Sequence, residues 1–189
     1  MKTRKGLIIG IATGLLLACS FAGANADHDH TRRNNGTFAG TFLGTRIDRN
    51  DDGVPASWGT AELIGTLGKS TSQSVVEAVP TGPTSDCPGG VSIVDAQNGI
   101  GFGTTTRTFP KGDQLYSQLL TRTQCGLGGG EFTGSDTWTI VGGTGKFDGA
   151  SGTVDVEWTS FIQAFDPNAN PAQAFGSTSG EFEGTVVLP

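Results

Sequence analysis

Histidine is nearly absent from this 189-residue chain: there are two, and both stand in one polar stretch, Asp27-His28-Asp29-His30. Beyond that stretch the chain has no imidazole, which excludes Ser-His-Asp and Cys-His nucleophilic machinery, His-based zinc catalysis and histidine acid–base work there. The two histidines themselves read as solubilising residues, with weak transition-metal binding as the alternative. Basic residues are also scarce, 12 against 18 acidic, and they form no cluster beyond the first few positions. Without a basic patch to attract phosphates, nucleic acid and anionic lipid are excluded as main partners. No window shows the three-four apolar spacing of an amphipathic helix. The long apolar run Gly6 to Ala18 is too short to span a bilayer comfortably.

That run follows Lys2, Arg4 and Lys5, so residues 1–26 read as a signal peptide rather than an anchor. Two processing sites compete at its end. Ala24-Asn25-Ala26 has the small-x-small form of ordinary signal peptidase cleavage, and Leu16-Leu17-Ala18-Cys19 has the form of a bacterial lipobox. Export to the periplasm, secretion, or a lipid anchor at Cys19 follows, the last being the one expected route to a membrane. Removal of this segment leaves 9 basic and 18 acidic residues in a chain of 163, enough for one domain. Of three cysteines, Cys87 and Cys125 then remain as an even pair in an oxidising compartment, which predicts a disulfide, with two free thiols as the alternative. Three strands are expected between them, so a flanking loop, 80–90 with its three prolines, has to double back.

Residues 27–35 read as a polar flexible tether, and 36–189 as the folded domain. From Gly36 apolar residues recur at every second position, in short runs separated by Gly, Pro, Asn and Asp. The pattern predicts about nine strands, near 36–46, 58–67, 72–79, 91–96, 100–109, 113–121, 131–141, 152–164 and 175–188. Asn98-Gly99 predicts a tight hairpin and Pro110-Lys111-Gly112-Asp113 the next reversal. Asp166-Pro167-Asn168-Ala169-Asn170-Pro171 reads as an exposed loop at a barrel mouth. The expected fold is all-β, a small closed antiparallel barrel of about eight strands.

Gly-x-Phe-x-Gly followed by a small residue occurs four times, around Phe38, Phe132, Phe147 and Phe182. On a strand both glycines and the ring face one side, and a ring flanked by missing side chains suits the interior of a sharply coiling sheet. The third copy lies in Gly142-Gly143-Thr144-Gly145-Lys146-Phe147-Asp148-Gly149-Ala150-Ser151-Gly152. This run resembles the Gly-Gly-Thr-Gly-x-Phe-x-Gly-Ala-x-Gly turn of the allene oxide cyclase and dirigent barrel superfamily and its exported bacterial relatives. The resemblance implies an eight-stranded barrel in which Gly142, Gly143, Gly145, Phe147 and Gly149 form an architectural turn. It carries over no catalytic residue, because the cyclase's catalytic groups match no motif here.

Asp48-Arg49-Asn50-Asp51-Asp52-Gly53 opens like a calcium loop, with oxygen ligands at alternate positions in Asp48, Asn50 and Asp52. Its twelfth position is Gly59 instead of a glutamate, which excludes an EF-hand. What remains is a looser calcium site, completed by Glu62 or by carbonyls, or a solvated turn. Calcium is the one cofactor considered. Strand parity puts Asp136 on a face with Phe132, Trp138 and Ile140, and Glu62 on a face with Trp58 and Ile64, each a carboxylate among core-type residues. Asp155 and Glu157 alternate against Val154, Val156 and Trp158 and are expected to face water.

Two functions compete on these residues. The first is a non-catalytic binding barrel holding a small apolar molecule in its lumen, with Trp58, Arg107 and Trp138 as pocket residues. The second is an isomerase or cyclase acting on a lipid-like or polyene substrate, in which Asp136, Glu62 or Tyr116 moves a proton. They are separated by whether those three side chains converge on one pocket.

Overall fold

The structure, a computed structural model, describes residues 30–45, 47–48, 53–169 and 173–189. The signal segment with Cys19, residues 27–29, and Asn50 and Asp52 of the acidic loop lie outside them. Eleven strands run along this part of the chain: β1 (Thr31–Arg33), β2 (Gly36–Gly44), β3 (Ser57–Gly65), β4 (Ser70–Glu77), β5 (Val79–Gly82), β6 (Val91–Asp95), β7 (Phe102–Thr108), β8 (Gln114–Gly128), β9 (Glu131–Gly143), β10 (Ser151–Asp166) and β11 (Gln173–Val187). Among the described residues the helical structure is two single 3-10 turns, Ala96–Asn98 and Gly145–Phe147.

Eight of the strands close on themselves. Each of β2, β3, β4, β7, β8, β9, β10 and β11 pairs antiparallel with the next, and β11 returns to β2. An eight-stranded barrel has an interior just wide enough for side chains or one small ligand. Strict alternation along β2 and β3, half-buried then exposed at every step, sets which residues fill it. The inner face is built by setting rings against glycines. Trp158 of β10 lies between Gly134 and Gly180 on its two neighbours, and Phe42 of β2 lies between Gly59 and Gly176. A Cβ at Gly134 or Gly176 would collide with those rings, so the missing side chains make the room the aromatics occupy. The Phe faces thus form the interior, as the four-fold pattern predicts.

One end of the barrel is plugged. Phe109, Leu115, Ile140, Phe147, Ala150 and Val186 pack there, each buried. Phe147 is 1% exposed and its ring lies 4.7 Å from that of Phe109. The glycine turn wraps this plug. The Thr144 amide donates to Gln114 at 2.8 Å, Gly145 takes a left-handed φ of 61°, and Gly143 sits against Gln114 and Phe147 with no space for a Cβ.

The other three strands lie outside the closed barrel, and they carry the differences from the sequence reading. Thr31–Arg33 pairs with the end of β11, so the tether expected over 27–35 already contains a strand at 31–33. All three of its side chains are exposed and its ladder to β11 is made by the backbone, which leaves no apolar pattern to read. β5 contains Pro80, tolerated because β5 is an edge strand paired on one side only, to β6.

The hairpin expected at Asn98-Gly99 is not formed. β6 and β7 both run antiparallel to β8, β6 along residues 121–125 and β7 along 114–118, so they follow one another in the same direction down one edge of it. Between them the chain makes a small loop, closed by the Asp95–Ile100 bridge. This arrangement brings the cysteines together: Val91 at the start of β6 stands opposite Cys125, and the Cys87–Cys125 disulfide closes with 5.2 Å between Cα atoms. The reversal at Pro110–Asp113 forms as expected, with the Phe109 amide donating to the Asp113 carbonyl at 2.9 Å.

Candidate functional site

Inside the barrel, above the plug, is a cavity of about 400 Å³. Its lining runs from Asn34, Arg107 and Phe182 at the plugged end to Gly44, Ser57 and Ile162 at the other. One wall is aromatic, with Phe132, Trp138 and Trp158 from β9 and β10. The facing wall is small and hydroxylated, with Ser72 and Ser74 from β4 and Gly59 and Ala61 from β3. Mostly apolar walls with a few fixed polar groups are the usual composition of a small-molecule site.

Asp136 is the central polar group of the aromatic wall and is 5% exposed. Its carboxylate accepts four hydrogen bonds. Arg122 donates from Nε to Oδ1 at 2.8 Å and from a terminal nitrogen to Oδ2 at 2.6 Å. Trp158 Nε1 donates to Oδ1 at 3.0 Å and Trp138 Nε1 to Oδ2 at 3.2 Å. The Arg122 guanidinium also stands 5.1 Å from the Trp158 ring centroid. Asp136 therefore fixes two indoles and one guanidinium in place, and each carboxylate oxygen already holds two donors. A carboxylate so engaged orients its neighbours and has no free acceptor aimed at a substrate proton.

The other two acid–base candidates are elsewhere. Glu62 is on the outer face of β3, its side chain 66% exposed and paired with Lys69 at 3.1 Å. Trp58, expected in the pocket, is on that same outer face and 46% exposed. The face of β3 expected to line the lumen is thus the outer one. The inner face carries Ser57, Gly59, Ala61 and Leu63, with glycine opposite the Phe42 ring of β2, and the bulky Trp58 and Ile64 are turned outward. Tyr116 alternates with the lumen residues Leu115 and Ser117, is not part of the cavity lining, and donates its hydroxyl to Gln114 Oε1 at 2.8 Å. Asp136, Glu62 and Tyr116 do not converge. Asp155 and Glu157 are exposed, as expected.

Arg107 and Trp138 do line the cavity. Arg107 is 6% exposed on β7, at the plugged end. It donates from Nε to Ser70 Oγ at 2.6 Å, and from its two terminal nitrogens to Asn34 Oδ1 at 2.9 Å and to the Gly68 carbonyl at 3.4 Å. Its guanidinium lies 4.9 Å and 5.1 Å from the Phe109 and Phe182 ring centroids. Burial lowers its pKa from the ordinary arginine range to about 10.

Arg122 and Trp158 belong to the site but were not singled out from the sequence. The parity of Trp158 was legible from Val154 and Val156. Arg122 was hidden because strand β8 was expected to end at 121, whereas it continues through a bulge between Leu119 and Thr121 that sets the Arg122–Asp136 register.

In the acidic loop, Asp48 Oδ2 accepts from the Gly53 amide at 2.7 Å, the geometry of a side-chain-closed turn. No group of three or more His, Cys, Asp or Glu able to hold a metal occurs among the described residues. No family model matches the chain, and no curated protein or solved structure is significantly similar to it.

Proposed function

We propose that this protein is an exported, non-catalytic binding barrel that holds one small, mainly apolar molecule in its lumen. The observation that carries this reading is the cavity of about 400 Å³ inside the barrel, between an aromatic wall and a serine-lined one. The engagement of Asp136 by four donors supports binding over proton transfer, as does the placement of Glu62 and Tyr116 away from the lumen. The Cys87–Cys125 disulfide fits an oxidising compartment. The likeness of the 142–152 turn to the allene oxide cyclase and dirigent barrels is retained as a proposal about architecture, since fold does not specify function.

The test uses N-phenyl-1-naphthylamine, which fluoresces strongly once out of water. The wild-type protein is expected to bind it saturably at one site. Ser74→Leu and Ser160→Leu, each adding bulk to the cavity lining, are expected to weaken binding while keeping the wild-type circular dichroism and melting curve. Absence of saturable binding, or equal binding by the filled variants, would contradict the reading.

A further inference from the structure

The lumen holds more positive than negative charge. Its lining contains two arginines, Arg107 and Arg122, and one carboxylate, Asp136. Arg122 and Asp136 neutralise one another through a two-pronged pair. Arg107 is left as a buried cation whose hydrogen-bond partners, Ser70, Asn34 and the Gly68 carbonyl, are all neutral, and among the described residues it forms no ion pair. Glu77, the other fully buried ionisable residue of this region, cannot serve it. It stands opposite Phe102, five positions along β4 from the Ser72–Arg107 pair, and it faces away from the lumen that Ser72, Ser74 and Val76 line.

A charge removed from water is stabilised poorly by neutral partners alone. The rings of Phe109 and Phe182, 4.9 Å and 5.1 Å from the guanidinium, offset only part of this. A guanidinium has five N–H donors in a planar fork. Three are used, one on Nε and one on each terminal nitrogen, so each terminal nitrogen keeps one N–H without a protein acceptor among the described residues. Two donors on neighbouring nitrogens match the two oxygens of a carboxylate. A phosphate or sulfate would leave further oxygens unsatisfied against Phe182, Leu63 and the rest of an apolar end of the cavity.

We propose that Arg107 is the receptor for a carboxylate, and that the lumen's ligand is a compact apolar monoanion bound head-inward, its carboxylate at the plugged end and its body against Trp138, Trp158 and Phe132. This rests on the binding reading above and adds the ligand's charge and orientation. Asn34 and Ser70 hold the guanidinium in place and act as positioning residues.

The experiment is calorimetry on the full mature protein with three matched probes: 2-naphthoate, 2-naphthalenemethanol and 2-naphthylmethylamine. The expected order is naphthoate about tenfold or more tighter than the alcohol, the increment of a charge-assisted pair, with no measurable binding of the ammonium compound. Arg107→Gln is expected to abolish the naphthoate advantage and leave the alcohol's affinity within about threefold, since the apolar contacts are untouched. Equal affinity of wild type for naphthoate and alcohol overturns the proposal, as does an advantage that survives Arg107→Gln. If Arg107→Gln does not fold, the wild-type comparison of the three probes decides alone. Loss of all three probes together with N-phenyl-1-naphthylamine would refute the binding reading itself; retention of the neutral probes with no carboxylate preference would refute only the assignment of Arg107.

Discussion

Replacing Phe147 with alanine tests the plugged end on which the cavity rests. The ring is 1% exposed, packs 4.7 Å from Phe109, and is covered by Lys146 with its ammonium 4.8 Å from the ring centroid. Its Cβ sits against the Gly143 backbone, which has no side chain to move into the space the ring leaves. Truncating a large buried ring where neighbours cannot collapse costs about 3–5 kcal/mol. For a domain of this size that corresponds to a fall in melting temperature of roughly 6–20 °C, at about 2–4 °C per kcal/mol. Asp148→Ala, next in sequence but exposed, is expected to change stability by no more than about 0.5 kcal/mol. Phe147→Leu, which refills part of the space, is expected to fall between the two and gives a measurable curve if the alanine variant does not accumulate. Urea denaturation of the three variants beside wild type decides the matter. A Phe147→Ala loss below about 1 kcal/mol would mean the ring is not the plug, since such a loss is the size of an ordinary surface change.

Asp136→Ala is expected to destabilise by about 2–4 kcal/mol because Arg122 is left as a largely buried charge and two indoles lose their acceptor, and the double variant with Arg122→Ala is expected to lose less than the sum; additive losses in a double-mutant cycle would refute the coupling. Replacing both Cys87 and Cys125 by serine is expected to cost about 4 kcal/mol in the chain-entropy model for a closed loop of 38 positions, read from denaturation under non-reducing conditions. Glu62→Gln is expected to be nearly neutral, within about 0.5 kcal/mol, because its pair with Lys69 is largely in water. The proposed export is checked by the intact mass of the native product, which should correspond to a chain beginning at Asp27 or to a lipid-modified one beginning at Cys19.

The barrel was legible because its interior is written in a period of two with Phe and Gly, and both the Phe147 plug and the cysteine pair follow from local composition. What could not be read was register. Asn98-Gly99 is a good hairpin turn by local chemistry, yet β6 and β7 are laid end to end along β8 because β8 is long enough, at 15 residues, to offer each a separate stretch of edge. Glu62 and Trp58 were assigned to the lumen on the assumption that bulk marks the inside. On β3 the bulk is outside: the inner face has Gly59 opposite the Phe42 ring and Ala61 beside it, while Trp58, Glu62 and Ile64 point outward. Asp136 was recognisable as a polar intruder, but its role depends on Arg122 across a bulge and on two indoles from adjacent positions in space. None of those partners is visible without the pairing of β8, β9 and β10.

The central claim, that the lumen rather than the outer surface takes the ligand, has a competing location. Trp58, Leu43 and Phe175 stand opposite one another on the outer faces of β3, β2 and β11, all exposed, and would attract an apolar probe without any cavity. Quenching of tryptophan fluorescence by a brominated naphthalene separates the two, because Trp138 and Trp158 line the lumen and Trp58 does not. The account predicts saturable quenching that persists in Trp58→Phe and is weakened in Ser160→Leu. Quenching that disappears with Trp58 and is indifferent to Ser160→Leu would place the probe on the outside of the barrel and contradict the claim.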